Sequence, residues 1–330
     1  MLFAINHSIG EKSGKKTGKM SSIVVKDVEE NNSLIWYRND LRVDNHSGLF
    51  NAIRNSDKVL GFYCFNSKMF ELNELNFHKT DSYRAKFLIE SVENLKTELK
   101  KNNISLIIKI GDPVEELTNI ISNKNINHVY FQNEWTEEEV QEEKSLKNKC
   151  DRVKFHSFYG QFLYDPEDLE IQNISNVFTN FRKHCEKKIE VRNLTDSISK
   201  LNPNNLIRED YNVPTLADLG LNDFDVDSRS AFKFKGGADS AKDRVDYYLW
   251  KSNKISYYKK TRNGLIGLDY SSKFSAWLSN GSISPIEIFW QIKDYEKNIL
   301  KNQSTYWLIF ELIWRDYFKY ISMKYGNKIF

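Results

Sequence analysis

The sequence has few of the residues that mark secreted, metal-binding or membrane proteins. Its only cysteines are Cys64, Cys150 and Cys185, and no two of them form a CxxC pair. This pattern is typical of a reducing compartment, so we predict an intracellular protein. The six histidines are dispersed without metal-ligand spacing, and we expect no metal. No apolar run approaches the roughly 20 residues that cross a bilayer, so we expect no membrane span.

The sequence also has no large excess of positive or negative charge. The net charge is only +3, so overall charge does not argue for nucleic-acid binding, and any basic face must be local. A hydrophobic fraction of 40% and an aromatic fraction of 14% support real cores, and 330 residues suffice for about two domains. Residues 1–32 contain little that can pack. We predict a disordered extension there, because a transit peptide would need arginine and an amphipathic face.

Short β-rich runs alternate with amphipathic helical patterns from residue 32 onward. This alternation predicts a parallel, doubly wound (Rossmann-like) α/β domain over residues 33–160. The clearest helix is expected at 82–99, and Asp112 followed by Pro113 marks a further helix start. Thr136 with Glu139 predicts a capping box. The strands are expected at 34–37, 59–65, 104–110, 128–131 and 153–158.

Ligands of such sheets bind beyond the carboxyl ends of the strands. Here those ends are residues 38–40, Asn66, 111–112 and 133–134. No GxGxxG follows the first strand, which disfavours NAD. Residues 161–230 are irregular and rich in Asn, Asp and Ser, so we predict a connector there. Residues 231–330 are predicted to be helical, with a helix start at Ser284 and Pro285.

The stretch STYWLIFELIWRDYF, residues 304–318, predicts a helix that is apolar around nearly its whole circumference. Such a helix belongs in the interior of a protein. It nevertheless carries Glu311 and Arg315, which are four residues apart and therefore share a face. Two interpretations remain open. The pair forms an internal ion bridge, or the helix lines a buried pocket where charge and aromatic rings meet a ligand.

Three segments carry a resemblance to a known family. They are the helix just described with the KYGN after it, YYLWKSNKISYYKKTRNGLIGLDYSSKFSAWLSNGSIS at 247–284, and LIWYRNDLR at 34–42. In their order along the chain they resemble the cryptochrome/photolyase family, and in particular its cryptochrome DASH branch. The resemblance implies an α/β antenna domain at 33–160 and an all-α FAD-binding domain that begins at 231. Family members continue for well over a hundred residues beyond this point, so we expect the helical domain to be incomplete.

The resemblance also implies site residues. From the residues alone, the hydroxyls and lysine of YSSKFS before a helix start suit a pyrophosphate only weakly. The family uses this stretch for the FAD diphosphate, and an acid in the stretch that matches FQNEWTEEE, here Glu134, for an antenna pterin such as 5,10-methenyltetrahydrofolate. Glu311 would bind a damaged pyrimidine pair and Trp314 would stack on it, although a lone Trp in such a helix is usually core. The implied FAD contacts are Tyr258, Ser271, Ser272, Lys273, Phe274, Ser275, Gln303 and Arg315.

The function that the resemblance implies is FAD-dependent, blue-light-driven repair of cyclobutane pyrimidine dimers. Its expected partner is damaged DNA, with single strands favoured, and the complete protein is expected to be a monomer. Two alternatives remain. One is a flavin photoreceptor that signals without repair, and the other is an inactive remnant with a stable α/β domain.

Overall fold

The structure is a computed structural model that describes residues 30–329. Five strands form one sheet in the order β3-β2-β1-β4-β5, and all neighbours are parallel. This order, which runs outward from β1 in both directions, is that of a doubly wound sheet and confirms the predicted fold class. The strands are β1 (Asn32–Trp36), β2 (Lys58–Asn66), β3 (Leu106–Gly111), β4 (His128–Gln132) and β5 (Lys154–Phe158).

The helices follow the sequence patterns closely. Around the sheet lie α1 (Ser47–Asn55), α2 (Ser82–Lys101), α3 (Pro113–Asn123) and α4 (Glu137–Lys149). Next come α5 (Phe178–Lys188), α6 (Ala238–Asp246) and α7 (Tyr258–Thr261). Then follow α8 (Ser275–Asn280), α9 (Pro285–Asn298) and α10 (Gln303–Tyr325). The predicted extension at 1–32 lies outside the described residues up to position 29, and its last residue belongs to β1 instead.

The structure tests the capping predicted at the starts of α3 and α4. The Asp112 carboxylate accepts the N–H groups of Val114 and Glu115, so the predicted cap of α3 is confirmed. Thr136 does occupy the cap position of α4, but the predicted capping box is wrong. The Thr136 hydroxyl donates to the Glu139 carboxylate directly, and neither side chain closes on the backbone.

The connector at 161–230 is more ordered than its composition suggests. It contains α5, whose Phe178, Phe181 and Cys185 enter the core of the helical part. Further along, Leu216 and Leu219 pack into the core between the sheet and α2. The connector therefore contributes to both cores, and its apolar residues explain why it follows the surface of both parts.

Helix α10 is the central element of the helical part. Its 23 residues begin at a capping box in which the Asn302 side chain accepts two N–H groups and the Thr305 hydroxyl accepts from the Asn302 N–H. One side buries Leu308, Leu312 and Ile313 among residues of α7 and α9. Within residues 30–329, no helix has the length and apolar character needed to cross a membrane.

Candidate functional site

Helices α7 and α10 place three of the predicted residues together. Glu311, on α10, accepts a hydrogen bond from Arg262 at the end of α7, with 2.5 Å between Oε1 and Nη1. Of the two interpretations left open for this helix, the internal ion pair between Glu311 and Arg315 is therefore wrong. Both members of the observed pair keep about 30% of their side-chain surface exposed, at 31% and 29%. A half-exposed pair can exchange partners with a ligand at moderate cost.

Tyr258 lies beside this pair and is buried. Burial, together with the negative charge of Glu311, raises the pKa of Tyr258 to about 12, so its hydroxyl remains a proton donor at neutral pH. Gln303, at the start of α10, accepts a hydrogen bond from Lys259 at 2.9 Å. The Lys259 ammonium also lies 4.4 Å from the ring centre of Trp307. One surface between α7 and α10 is thus lined by a phenol, a carboxylate, an amide and two cations. They belong to Tyr258, Glu311, Gln303, Lys259 and Arg262.

Trp314 lies one turn further along α10 and is half-buried. Its ring stacks face to face on Phe178 of α5, with ring centres 3.4 Å apart and an angle of 9° between the planes. The aromatic surroundings agree with the core interpretation for one face of the indole. The partial exposure leaves the rest of the ring available to a planar ligand.

Arg315 and Asp316, one turn beyond Glu311, bind backbone groups of the connector and of α8. Arg315 donates to the carbonyls of Gln161 at 2.5 Å and Leu278 at 2.9 Å. Asp316 accepts the N–H groups of Leu163 and Tyr164 through one oxygen. Burial raises the pKa of Asp316 to about 6, although the nearby Arg315 charge opposes the shift. In this arrangement Arg315 works as a clamp between connector and α8, and its predicted flavin contact remains a prediction.

The predicted diphosphate stretch forms a tight turn before α8. Lys273 adopts a left-handed backbone with φ +65°, and its ammonium lies 3.6 Å from the Tyr270 ring centre. Ser272 and Phe274 are buried, whereas Ser275 is exposed. The hydroxyls of the three serines in this stretch bond to no other side chain or backbone group among residues 30–329. Free hydroxyl donors beside a cation fit a diphosphate.

Arg244 of α6 binds the backbone of this turn. It is 4% exposed and donates to the carbonyls of Leu268, Ser271 and Ser272. Its other nitrogen pairs with Asp269 at 2.9 Å. Sequence reasoning missed Arg244, because a single arginine in a helix carries no signal of the carbonyls it binds 24 to 28 residues away.

Glu134 lies beyond the end of β4, as expected, but inside a polar cluster. Its carboxylate accepts hydrogen bonds from the side-chain amides of Asn39, Gln132 and Gln161 at 3.0 to 3.2 Å. Burial raises the pKa of Glu134, opposed by the charge of Arg38. Next to it the pKa of Lys319 is lowered well below its usual value by burial. These three hydrogen bonds leave one acceptor position of the carboxylate, on Oε2, for a further donor such as an antenna pterin.

A separate cleft of about 870 Å³ opens at the carboxyl ends of the strands. Arg38, Asn39 and Asn66 line it, as the strand-end argument predicted, but residues 111–112 and 133–134 do not. Asp40 does not line it either, because its carboxylate accepts a hydrogen bond from His46 at 2.9 Å and both side chains are fully buried. The remaining lining is mixed. It includes the aromatic residues Tyr63, Phe65, Phe70, Tyr83, Phe87, Phe224, Phe232 and Phe234 and the charged residues Arg84, Lys86, Glu90, Glu138, Glu139, Glu142, Asp227, Lys233 and Lys235.

The fold and the site together define a class: a doubly wound α/β domain joined to a helical part whose central helix presents an acid and a tryptophan. The sequence profile named DNA photolyase matches residues 33–200. The chain is 42% identical to the cryptochrome DASH of Xenopus laevis and 40% identical to that of Gloeobacter violaceus. The chain belongs to the cryptochrome/photolyase family and to its cryptochrome DASH branch, as the resemblance predicted.

Coverage sets the limits of this similarity. The matches include 89% and 90% of this chain but 57% and 60% of those two relatives. A Synechocystis cryptochrome structure superposes with a TM-score of 0.86 at 36% identity, over 90% of this chain and 62% of that chain. A class III photolyase from Agrobacterium tumefaciens, at TM-score 0.74 and 21% identity, shares the fold. The chain thus spans about 60% of the length of these relatives.

The family binds FAD, and an antenna chromophore is typical of it. The turn at 271–275 fits the diphosphate of that cofactor by its free hydroxyls. Phe274, Tyr248 and Tyr258 form a row of rings, at 6.0 and 6.5 Å, that joins the turn to the surface between α7 and α10. No group of three metal-ligating side chains occurs among residues 30–329.

Proposed function

We propose that the chain carries part of an FAD-dependent, blue-light-driven enzyme that repairs cyclobutane pyrimidine dimers in DNA. The observation that supports this best is the meeting of Tyr258, Gln303 and Glu311 on the facing surfaces of α7 and α10, with Trp314 one turn away. A hydrogen-bonding acid beside a half-exposed indole suits a pair of damaged bases, which offer polar edges and flat faces.

Each residue has a distinct task in this proposal. The turn at 271–275 holds the diphosphate through hydroxyls and the charge of Lys273. Glu311 hydrogen-bonds the polar edge of the dimer once Arg262 releases one of its oxygens, and Trp314 stacks on the base. The chemistry that bound FAD supplies is transfer of one electron from its light-excited reduced form to the dimer, and its return after ring opening.

Single-stranded DNA is the favoured substrate in this proposal. The dimer must leave the base stack to reach a surface formed by two helices, and unstacking costs less in a single strand. The antenna is proposed to be a pterin of the methenyltetrahydrofolate class near Glu134. Its task is to collect blue light for the same site.

A flavin photoreceptor without repair is the second candidate. The half-exposed Glu311 and Trp314 favour repair, since a sensor has no use for side chains that read a damaged base. An inactive remnant is the third candidate. Limited proteolysis separates it from the others, because a remnant would resist protease to about residue 160 and lose the following residues quickly.

The test has two stages. The purified chain is passed through gel filtration and its visible absorption is recorded, beside a longer form that extends to the full length of the relatives. Flavin bands that co-elute with protein support the proposal, and their absence from both forms refutes it. The flavin-loaded form is then illuminated with a dimer-containing oligonucleotide. Light-dependent loss of the dimer, abolished in E311A, identifies repair, whereas flavin binding without dimer loss identifies the photoreceptor.

A further inference from the structure

The stack of Phe178 on Trp314 joins two segments that are far apart in sequence. Phe178 is the first residue of α5, in the connector, and is 8% exposed. The two rings lie 3.4 Å apart between centres and are almost parallel, so Phe178 covers one face of the indole. A base that approaches Trp314 can therefore use only the other face.

Phe178 itself cannot turn aside easily. The ring of Phe310 meets it edge to face at 5.2 Å and 87°, and the ring of Tyr317 does the same at 5.5 Å and 72°. Edge-to-face and stacked contacts are the favoured arrangements of aromatic pairs, and each stabilises the pair beyond its burial. Three such contacts hold the Phe178 ring in one orientation.

Polar contacts fasten the start of α5 to α10. The Tyr317 hydroxyl donates to the Asn176 carbonyl at 2.6 Å, and the Lys324 ammonium donates to the Ile174 carbonyl at 2.6 Å. One turn into α5, Arg182 donates to the Tyr306 hydroxyl at 2.6 Å. Because these contacts lie on both sides of Phe178 in the sequence, the ring is held at a fixed height above Trp314.

A second near-parallel ring, that of Phe318, lies beside Trp314. The ring centres are 5.4 Å apart with 23° between the planes, an offset stack, and Phe318 is 63% exposed. The free face of the indole is therefore the part of the side away from Phe178 that Phe318 leaves uncovered. A base that stacks there can also contact the exposed Phe318 ring, and stacking of a base on an aromatic ring is tolerant of sequence.

We propose that Phe178 is a positioning residue for Trp314, which fixes the indole plane so that one nucleobase of a single-stranded DNA stacks on its free face. This inference rests on the proposed function. It assigns the connector, which the fold otherwise uses as a link, a share in the substrate site. Without the Phe178 ring the indole can tilt. Binding of a base then has to order the indole as well, and this loss of conformational entropy weakens the affinity.

The test uses the 330-residue chain labelled with 5-fluorotryptophan. Its seven tryptophans are resolved by fluorine NMR, and W314F identifies the resonance of Trp314. F178L removes the ring and keeps most of the apolar volume, and F178Y keeps the ring. F181L is the matched control, since Phe181 is also buried in α5, at 2% exposure against 8% for Phe178, but contacts Tyr317 and Tyr320 instead of Trp314. An oligothymidylate with one cyclobutane dimer is then titrated into each variant.

We expect F178L to shift the free-state Trp314 resonance and to weaken oligonucleotide affinity roughly three- to tenfold, the loss of one aromatic contact. F178Y should retain wild-type affinity, and F181L should lower thermal stability without moving either readout. Equal affinity in F178L and wild type, or equal loss in F178L and F181L, overturns the inference while the proposed function stands. If the oligonucleotide does not shift the Trp314 resonance of the wild-type chain, both this inference and the proposed function are overturned.

Discussion

Gly281 packs directly against the backbone that follows β1, and its replacement by alanine tests that contact. Gly281 follows α8 with φ +71°, in the left-handed region that disfavours a side chain. A β-carbon there would stand 2.0 Å from the Asn39 carbonyl oxygen and 2.5 Å from the Asp40 α-carbon. Both are backbone atoms, so no side chain can rotate away.

The expected loss follows from two additive contributions. The left-handed backbone costs alanine about 1 kcal/mol, and overpacking against backbone costs about 1–3 kcal/mol more. The required shift would also stretch the hydrogen bonds from Arg42 to the Gly281 carbonyl, at 2.9 Å, and from Leu41 to the Asn280 carbonyl, at 3.1 Å. We therefore expect G281A to lower the free energy of unfolding by about 3 kcal/mol or more, measured by urea denaturation.

Gly220 supplies the matched control. Its φ of +73° is nearly the same, but a β-carbon there would meet nothing within 4 Å. G220A should therefore lose only the backbone contribution of about 1 kcal/mol. The reasoning is refuted if the two variants differ by less than about 0.5 kcal/mol, because steric contact would then contribute nothing at the domain contact.

Three further predictions concern titration and the diphosphate turn. Burial raises the pKa of Asp316 to about 6, so its stabilising protonated form is lost as the pH rises from about 4 to 6. Wild type should lose about 2–3 kcal/mol relative to D316N over that range in urea unfolding, and a constant difference would contradict this. E311Q removes one cause of the raised Tyr258 pKa and should lower it from about 12 in tyrosine carbon-13 NMR, with Y258F as assignment control. An unchanged value would show that burial alone sets it. R244K cannot reach all the carbonyls that Arg244 binds, and should lower stability by about 2 kcal/mol and weaken FAD retention on gel filtration. If R244K retains FAD as well as wild type does, the turn at 271–275 keeps its conformation without Arg244.

Hydrophobic period and capping chemistry were enough to predict the sheet and its helices. All five predicted strands overlap the observed ones, because buried parallel strands are short apolar runs with few alternatives. The strand order β3-β2-β1-β4-β5 was not predicted, because the right-handed crossover rule fixes the face on which each helix packs but not which strands are neighbours. The connector was harder. Phe178, Phe181 and Cys185 do recur at helical spacing in α5, but they are only three apolar residues in a segment rich in polar ones.

Side-chain pairing in the site could not be predicted from spacing. Glu311 and Arg315 satisfy the i, i+4 rule, yet Glu311 pairs with Arg262, 49 residues earlier. Helical spacing says which residues share a face, whereas partners are decided by the element that packs on that face. The site residues themselves came from the resemblance of whole segments to the family. The roles of Phe178 and Arg244 were not predicted, because neither residue lies in one of the three segments that resemble the family.

The charges of α10 have two sets of partners with different tasks, which explains how a buried helix can carry charge. Glu311 contacts Arg262 at the end of α7, and this partner is partly exposed and can be exchanged for a ligand. Arg315 and Asp316, one turn further along, bind the connector backbone at residues 161–164. Buried charges satisfied by fixed backbone dipoles need no mobile counter-ion, so these contacts can hold the connector and α10 together. Since both sets of contacts belong to one helix, the connector and the candidate site are held in a fixed relation, and the ring of Phe178 contacts Trp314 from that same connector.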